Sequence, residues 1–157
     1  MASRGEDSRP EPRAVLLIAH GSRHQPANED LLGLATRLER SGRHAIVEAS
    51  FLELTEPDIL TGGSRCVERG ARRVLMVPYF LSAGVHLLRD LTAARDELKR
   101  RFPKVSFVLG PPLGPHPLLD QLVAARIDEL EHDVASPVLV SSEAMAIRFA
   151  PMDGKPD

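Results

Sequence analysis

Two histidines carry most of the chemistry this sequence can offer. His20 closes an apolar run over 14–19 and opens His20-Gly21-Ser22-Arg23, while His86 follows the apolar run 74–81 and the small-residue turn Ser82-Ala83-Gly84. Each arrangement reads as a buried strand, a tight loop and a helix start, with an imidazole at the strand's carboxyl end. In an open α/β sheet that edge is where ligands bind. Neutral imidazole ligates divalent transition metals and also accepts a proton near neutral pH. One such histidine is ordinarily a hydrogen-bonded structural group. Two at equivalent positions, with Gly21 and Gly84 leaving room for a large ligand to approach the backbone, point to function.

Two histidines are too few for a closed structural zinc site, so an ion held by them would keep open positions. Glu53, just past the second strand in Phe51-Leu52-Glu53-Leu54, offers a third donor. An acid in so apolar a stretch costs free energy unless it is functional or paired, the alternative partners being Arg23 and Arg89. His116, in the loop after the fourth strand, shares the carboxyl side of the sheet and is placed for substrate contact. His24, His44 and His132 read as solvated. The G-x-S-x-G elbow of a serine nucleophile is absent, and Gly62-Gly63-Ser64 falls inside a helix without the lysine of a phosphate-binding loop.

The elements that must position these groups alternate. Apolar runs predict strands over 13–19, 45–51 (with alternating character), 72–80 and 105–109. Helical spacing predicts helices over 26–41, 55–69, 87–101 and 118–132, the second capped by Thr55 and the last with Leu119, Leu122, Val123, Ile127 and Leu130 inward. A short strand is expected at 138–141. Strands and helices in alternation imply a flavodoxin-like open parallel sheet of order 2-1-3-4 with helices on both faces. In that order the chain reverses between the first and third strands, and His20 and His86 face each other across the crevice.

Composition sets the outer limits. A chain of 157 residues with 43% hydrophobic and 27% charged residues suits a globular domain, expected over 13–133, between a polar leader at 1–12 and a tail at 134–157. The formal charge of −2 gives no reason to expect nucleic acid, and no apolar run is long enough for a membrane span. The single cysteine, Cys66, excludes a disulfide framework, fits a reducing cytoplasm and reads as a small core residue.

Four segments now acquire a common reading. Ala-His-Gly-Ser-Arg (19–23), Ser-Phe-Leu-Glu-Leu-x-Glu-Pro (50–57), Pro-Tyr-Phe-Leu-Ser-Ala-Gly-Val-His-x-x-x-Asp (78–90) and Leu-Gly-Pro-His-Pro-Leu (113–118) resemble the sirohydrochlorin chelatases of the CbiX/SirB family. The resemblance implies a chelatase-like fold. It also implies insertion of cobalt or iron, or nickel in some archaeal relatives, into a sirohydrochlorin-type tetrapyrrole without ATP, in cobalamin or siroheme biosynthesis. No cofactor would be permanently bound, since Co²⁺ or Fe²⁺ is the substrate; cobalt is the expectation, with iron close behind. By the same resemblance His20 and His86 would bind the ion and take up pyrrole protons, with Glu53 as ligand or base. Phe80, Leu81, Val85 and Leu113 would line the ring, with Gly84 and His116 beside it, and Arg23 and Arg89 would meet its rim carboxylates. Short members of the family pair as homodimers, so a homodimer is expected. Two other readings remain open: a non-catalytic metal or tetrapyrrole carrier of the same fold, and an unrelated flavodoxin-like binding domain.

Overall fold

The sheet grows from one strand. Arg13–Ala19 forms β1, and its five central residues, Ala14 to Ile18, are all buried. Parallel neighbours flank it: β2 (Ile46–Phe51), in register from Ala14↔Ile46 to Ala19↔Phe51, and β3 (Arg73–Pro78), from Arg13↔Arg73 to Ile18↔Pro78. β4 (Ser106–Leu109) pairs with β3, giving the order β2-β1-β3-β4 expected from the sequence. This computed structural model describes residues 11–135. Residues 1–10 of the leader expected at 1–12, the tail from 136 on and the strand expected at 138–141 lie outside them.

Successive side chains of β1 point to opposite faces and seed two cores. Ala14, Leu16 and Ile18 join Cys66, Val74, Met76, Leu91, Leu98 and Phe107, beneath α2 (Ile59–Glu68) and α3 (Val85–Arg101). Val15 and Leu17 join Leu31, Ala35, Val47, Ala49 and Phe51, beneath α1 (Gln25–Arg40). Each such leucine or isoleucine contributes about 1.5–3 kcal/mol by leaving water. Helices therefore cover both faces, and β2 loses the alternation expected of it. Five of its six residues are buried, because neither side of a covered parallel strand meets solvent.

Two helix starts differ from the sequence reading in ways that shape the site. α2 is capped by Asp58, not Thr55: the Asp58 carboxylate accepts from Thr61 N at 2.7 Å. Pro57 sits before the cap, its carbonyl accepting from Phe51 N at 2.9 Å, so residues 52–57 form a loop instead of a helical turn. α3 starts at Val85, which puts His86 inside the first helical turn. Within α2, Gly62 lies against Leu16 and Ser50 and Gly63 against Leu98, too close for a methyl group, which seats the helix tightly on the sheet.

The chain divides into two units, the first ending at Pro115 and containing the sheet. The second begins at His116 and carries α4 (Pro117–Ala135). Leu122, Val123, Ile127 and Leu130 of α4 are exposed, where an inward face was expected. Helical spacing marks which face is apolar, but the described part of this unit holds no second element to cover it.

Candidate active site

The β1–β2 hydrogen-bond ladder does not stop where the strands end. Leu52 N donates to Ala19 O at 3.0 Å and Glu53 N to His20 O at 3.1 Å, so the two following loops are joined by main chain. Gly21 fits this junction and nothing larger would. With φ +96°, a β-carbon there would lie 1.9 Å from the Glu53 carbonyl oxygen. The expectation that Gly21 makes room for a ligand is thereby corrected, since its space is filled by the neighbouring loop. On the far side Asn28, only 2% exposed, grips Ser22 twice: its Oδ1 accepts from Ser22 N at 2.9 Å and its Nδ2 donates to Ser22 O at 2.8 Å.

So held, His20 and Glu53 meet, with Nε2 of the imidazole 3.1 Å from the carboxylate Oε1. Neither Arg23 nor Arg89 is the glutamate's partner. Nor is its setting apolar, as sequence context suggested: the two side chains are 63% and 57% exposed. A carboxylate at Nε2 leaves Nδ1 of the neutral ring as the unprotonated nitrogen. The pair stands in a cleft of about 530 Å³, whose other polar walls are Asp58 and Asp90 and whose apolar walls include Leu52, Ile59 and Leu87. Asp58 keeps its carboxyl below the usual range, chiefly by accepting the Thr61 backbone N–H.

His86 is exposed on the first turn of α3, and Arg89 one turn on places Nη2 3.2 Å from its Nδ1. Guanidinium can only donate, so Nδ1 accepts. His86 is not gathered into a ligand cluster with His20 and Glu53: among the described residues no group of three or more His, Cys, Asp or Glu is close enough to hold an ion. Leu81 and Val85 are 69% and 82% exposed, offering apolar surface beside His86. Phe80 instead leans on the core, its carbonyl accepting from Leu113 N at 2.8 Å. Gly84 caps α3 and has open space where a β-carbon would stand. Arg23 is exposed on the loop after His20. His116 turns its Nδ1 to Leu118 N at 3.1 Å, finishing the start of α4 in its own unit. Cys66 is a core residue as expected, its thiol pushed up to about 12 by burial.

Asn28 escaped the sequence reading, and Asp58 at the helix start and Asp90 at the end of the third motif were given no place in the site. Asp90 had left a signal, for Leu87, Asp90 and Ala94 recur at helical spacing and line one cleft wall together. Asn28 sits three residues before Leu31 and seven before Ala35, on the stripe that α1 buries.

A family model described as CbiX matches residues 14–130. The chain belongs to the CbiX family. Among relatives, it is 34% identical to the chloroplastic sirohydrochlorin ferrochelatase of Arabidopsis thaliana, over 72% of this chain and 50% of the relative. It is 32% identical to a sirohydrochlorin cobaltochelatase of Priestia megaterium, over 80% of this chain and 40% of that one. The chain thus spans about half the length of these curated relatives. Among solved structures, the sirohydrochlorin chelatase SirB of Bacillus subtilis subspecies spizizenii in complex with cobalt superposes with a TM-score of 0.69 at 29% identity, over 74% of this chain and 50% of that chain. A CbiX protein of Marinobacter aquaeolei VT8 does so with a TM-score of 0.66 at 30% identity, over 77% of this chain and 99% of that chain. The flavodoxin-like, chelatase-like sheet expected from the sequence is the fold of these CbiX/SirB proteins.

Proposed function

We propose that this chain is a sirohydrochlorin chelatase, inserting Co²⁺ or Fe²⁺ into a sirohydrochlorin-type tetrapyrrole without ATP. The observation that carries the reading is the His20–Glu53 contact at the carboxyl end of the central strand, in an open cleft. Relatives named sirohydrochlorin ferrochelatase and cobaltochelatase support it. Insertion forms metal–nitrogen bonds while two pyrrole N–H bonds break, so two protons leave for each divalent ion and nothing is oxidised or reduced. An imidazole backed by a carboxylate is suited to accept such a proton and to replace water on the ion. In this reading His20 and His86 are ligands and proton acceptors, with Glu53 orienting His20. Ion uptake displaces Arg89 from His86 and frees its guanidinium for a rim carboxylate of the ring, as Arg23 is also placed to do. Leu81 and Val85 lie against the ring.

Cobalt is the expected ion with iron close behind, since both accept nitrogen ligands and differ little in affinity. We further propose a homodimer, supported by the exposed apolar residues of α4, working in a reducing cytoplasm that suits the single buried Cys66. The test is to mix the protein with sirohydrochlorin and Co²⁺ or Fe²⁺ and follow the absorption change of metallation. A rate above buffer is expected, falling at least about tenfold in His86→Ala while the tetrapyrrole is still bound. Tetrapyrrole or metal binding with no rate above buffer would instead identify a carrier.

A further inference from the structure

Leu54 follows Glu53 in the loop between β2 and α2, with φ 67°, the one positive φ at a non-glycine position among the described residues. Leucine is strained there, whereas glycine has no β-carbon to clash and asparagine, with a short side chain that bonds locally to the backbone, adopts this region more readily. Burial does not offset that strain, for Leu54 is 52% exposed and belongs to neither core. The loop imposes the conformation from both ends: Glu53 N is bonded to His20 O, Phe51 N to Pro57 O, and Asp58 N to the Glu56 carboxylate. Strain that nothing in the free protein repays is a mark of a functional contact.

The strand order says what that contact is. β1 lies between β2 and β3, so the strand that ends at His20 has on one side the strand followed by the Leu54 loop and on the other the strand followed by Tyr79, Leu81 and Val85. All four flanking side chains are exposed. Strands β2 and β3 stand about 10 Å apart across β1, the scale of a four-pyrrole ring and far beyond that of a bare ion. We propose that Leu54 is a substrate-contact residue, closing the β2 side of an apolar platform on which the flat macrocycle lies over His20, opposite Leu81 and Val85. This rests on the chelatase reading above.

The test is Leu54→Gly and Leu54→Asn, which keep the left-handed backbone, beside Leu54→Met, which keeps the apolar chain. For the first two, the unfolding midpoint is expected to hold or rise. Their KM for sirohydrochlorin, and the dissociation constant measured without metal, are expected to rise about tenfold with kcat retained. Leu54→Met should bind as the wild type does. Wild-type binding in Leu54→Asn overturns the proposal. So does unchanged binding with an altered sedimentation coefficient, which would make Leu54 a contact between copies. A wild-type protein that neither binds nor metallates sirohydrochlorin removes the chelatase reading itself, and Leu54's role with it.

Discussion

Gly21 shows how much of the site depends on an atom that is not there. Alanine would drive a methyl group into the Glu53 carbonyl, a main-chain atom that cannot rotate away. Gly21→Ala is expected to part the two loops, lower kcat/KM for metallation at least about tenfold, and cost about 2–3 kcal/mol in urea unfolding. Unchanged kinetics would mean the His20–Glu53 contact tolerates loose loops. That both residues stand at the carboxyl edge of the sheet was legible in the sequence, because both motifs end at strand termini and a parallel sheet sets strand termini side by side; their direct contact was not, since the sequence offered Arg23 or Arg89 as the partner of Glu53. The role of Gly21 was not, since a ligand and a neighbouring loop demand the same missing side chain. Asn28 was hidden for a related reason. A polar residue on a buried stripe needs a partner, but its partners here are main-chain groups of Ser22, which spacing does not reveal.

Among the elements, α2 brings its first turn to the cleft through one capping carboxylate. Asp58→Ala should cost about 1 kcal/mol at neutral pH. Asp58 has a folded-state pKa below its ordinary value. Its stabilisation is therefore complete above the usual carboxylate range and is lost as pH falls through the lowered value. The gap between wild type and variant in chemical unfolding should close accordingly in acid; a constant gap would show that the carboxylate charge plays no part. The sequence placed this helix but misplaced its start, because Thr55-Glu56-Pro57-Asp58 contains two plausible caps and only the second leaves 52–57 free as a site loop. At the helix's other end Arg69 ties Glu39 of α1 at 2.8 Å to Glu48 of β2 at 2.8 Å. Glu39, held below the usual carboxylate range chiefly by Arg69, also accepts from Val47 N at 2.9 Å, occupying an amide of the edge strand.

For the molecule as a whole, topology was the most legible feature: strands and helices that alternate through short connections leave few arrangements. What covers α4 was not legible, since periodicity names a face and not its partner. If that face joins two copies, sedimentation over a hundredfold range of concentration should show a dimer that weakens when Leu122 and Ile127 are both replaced by lysine. A wild-type chain that stays monomeric throughout would end the dimer proposal. The continued β1–β2 ladder carries a different consequence. Because the groups bearing His20 and Glu53 are welded into the sheet, this wall of the cleft cannot close over an incoming ion as a lid would. In the proposed chelatase, adjustment of His20 and Glu53 to ions of unequal radius would fall to their side-chain torsions, so their part in discriminating cobalt from iron would come from ligand reach and not from a moving backbone.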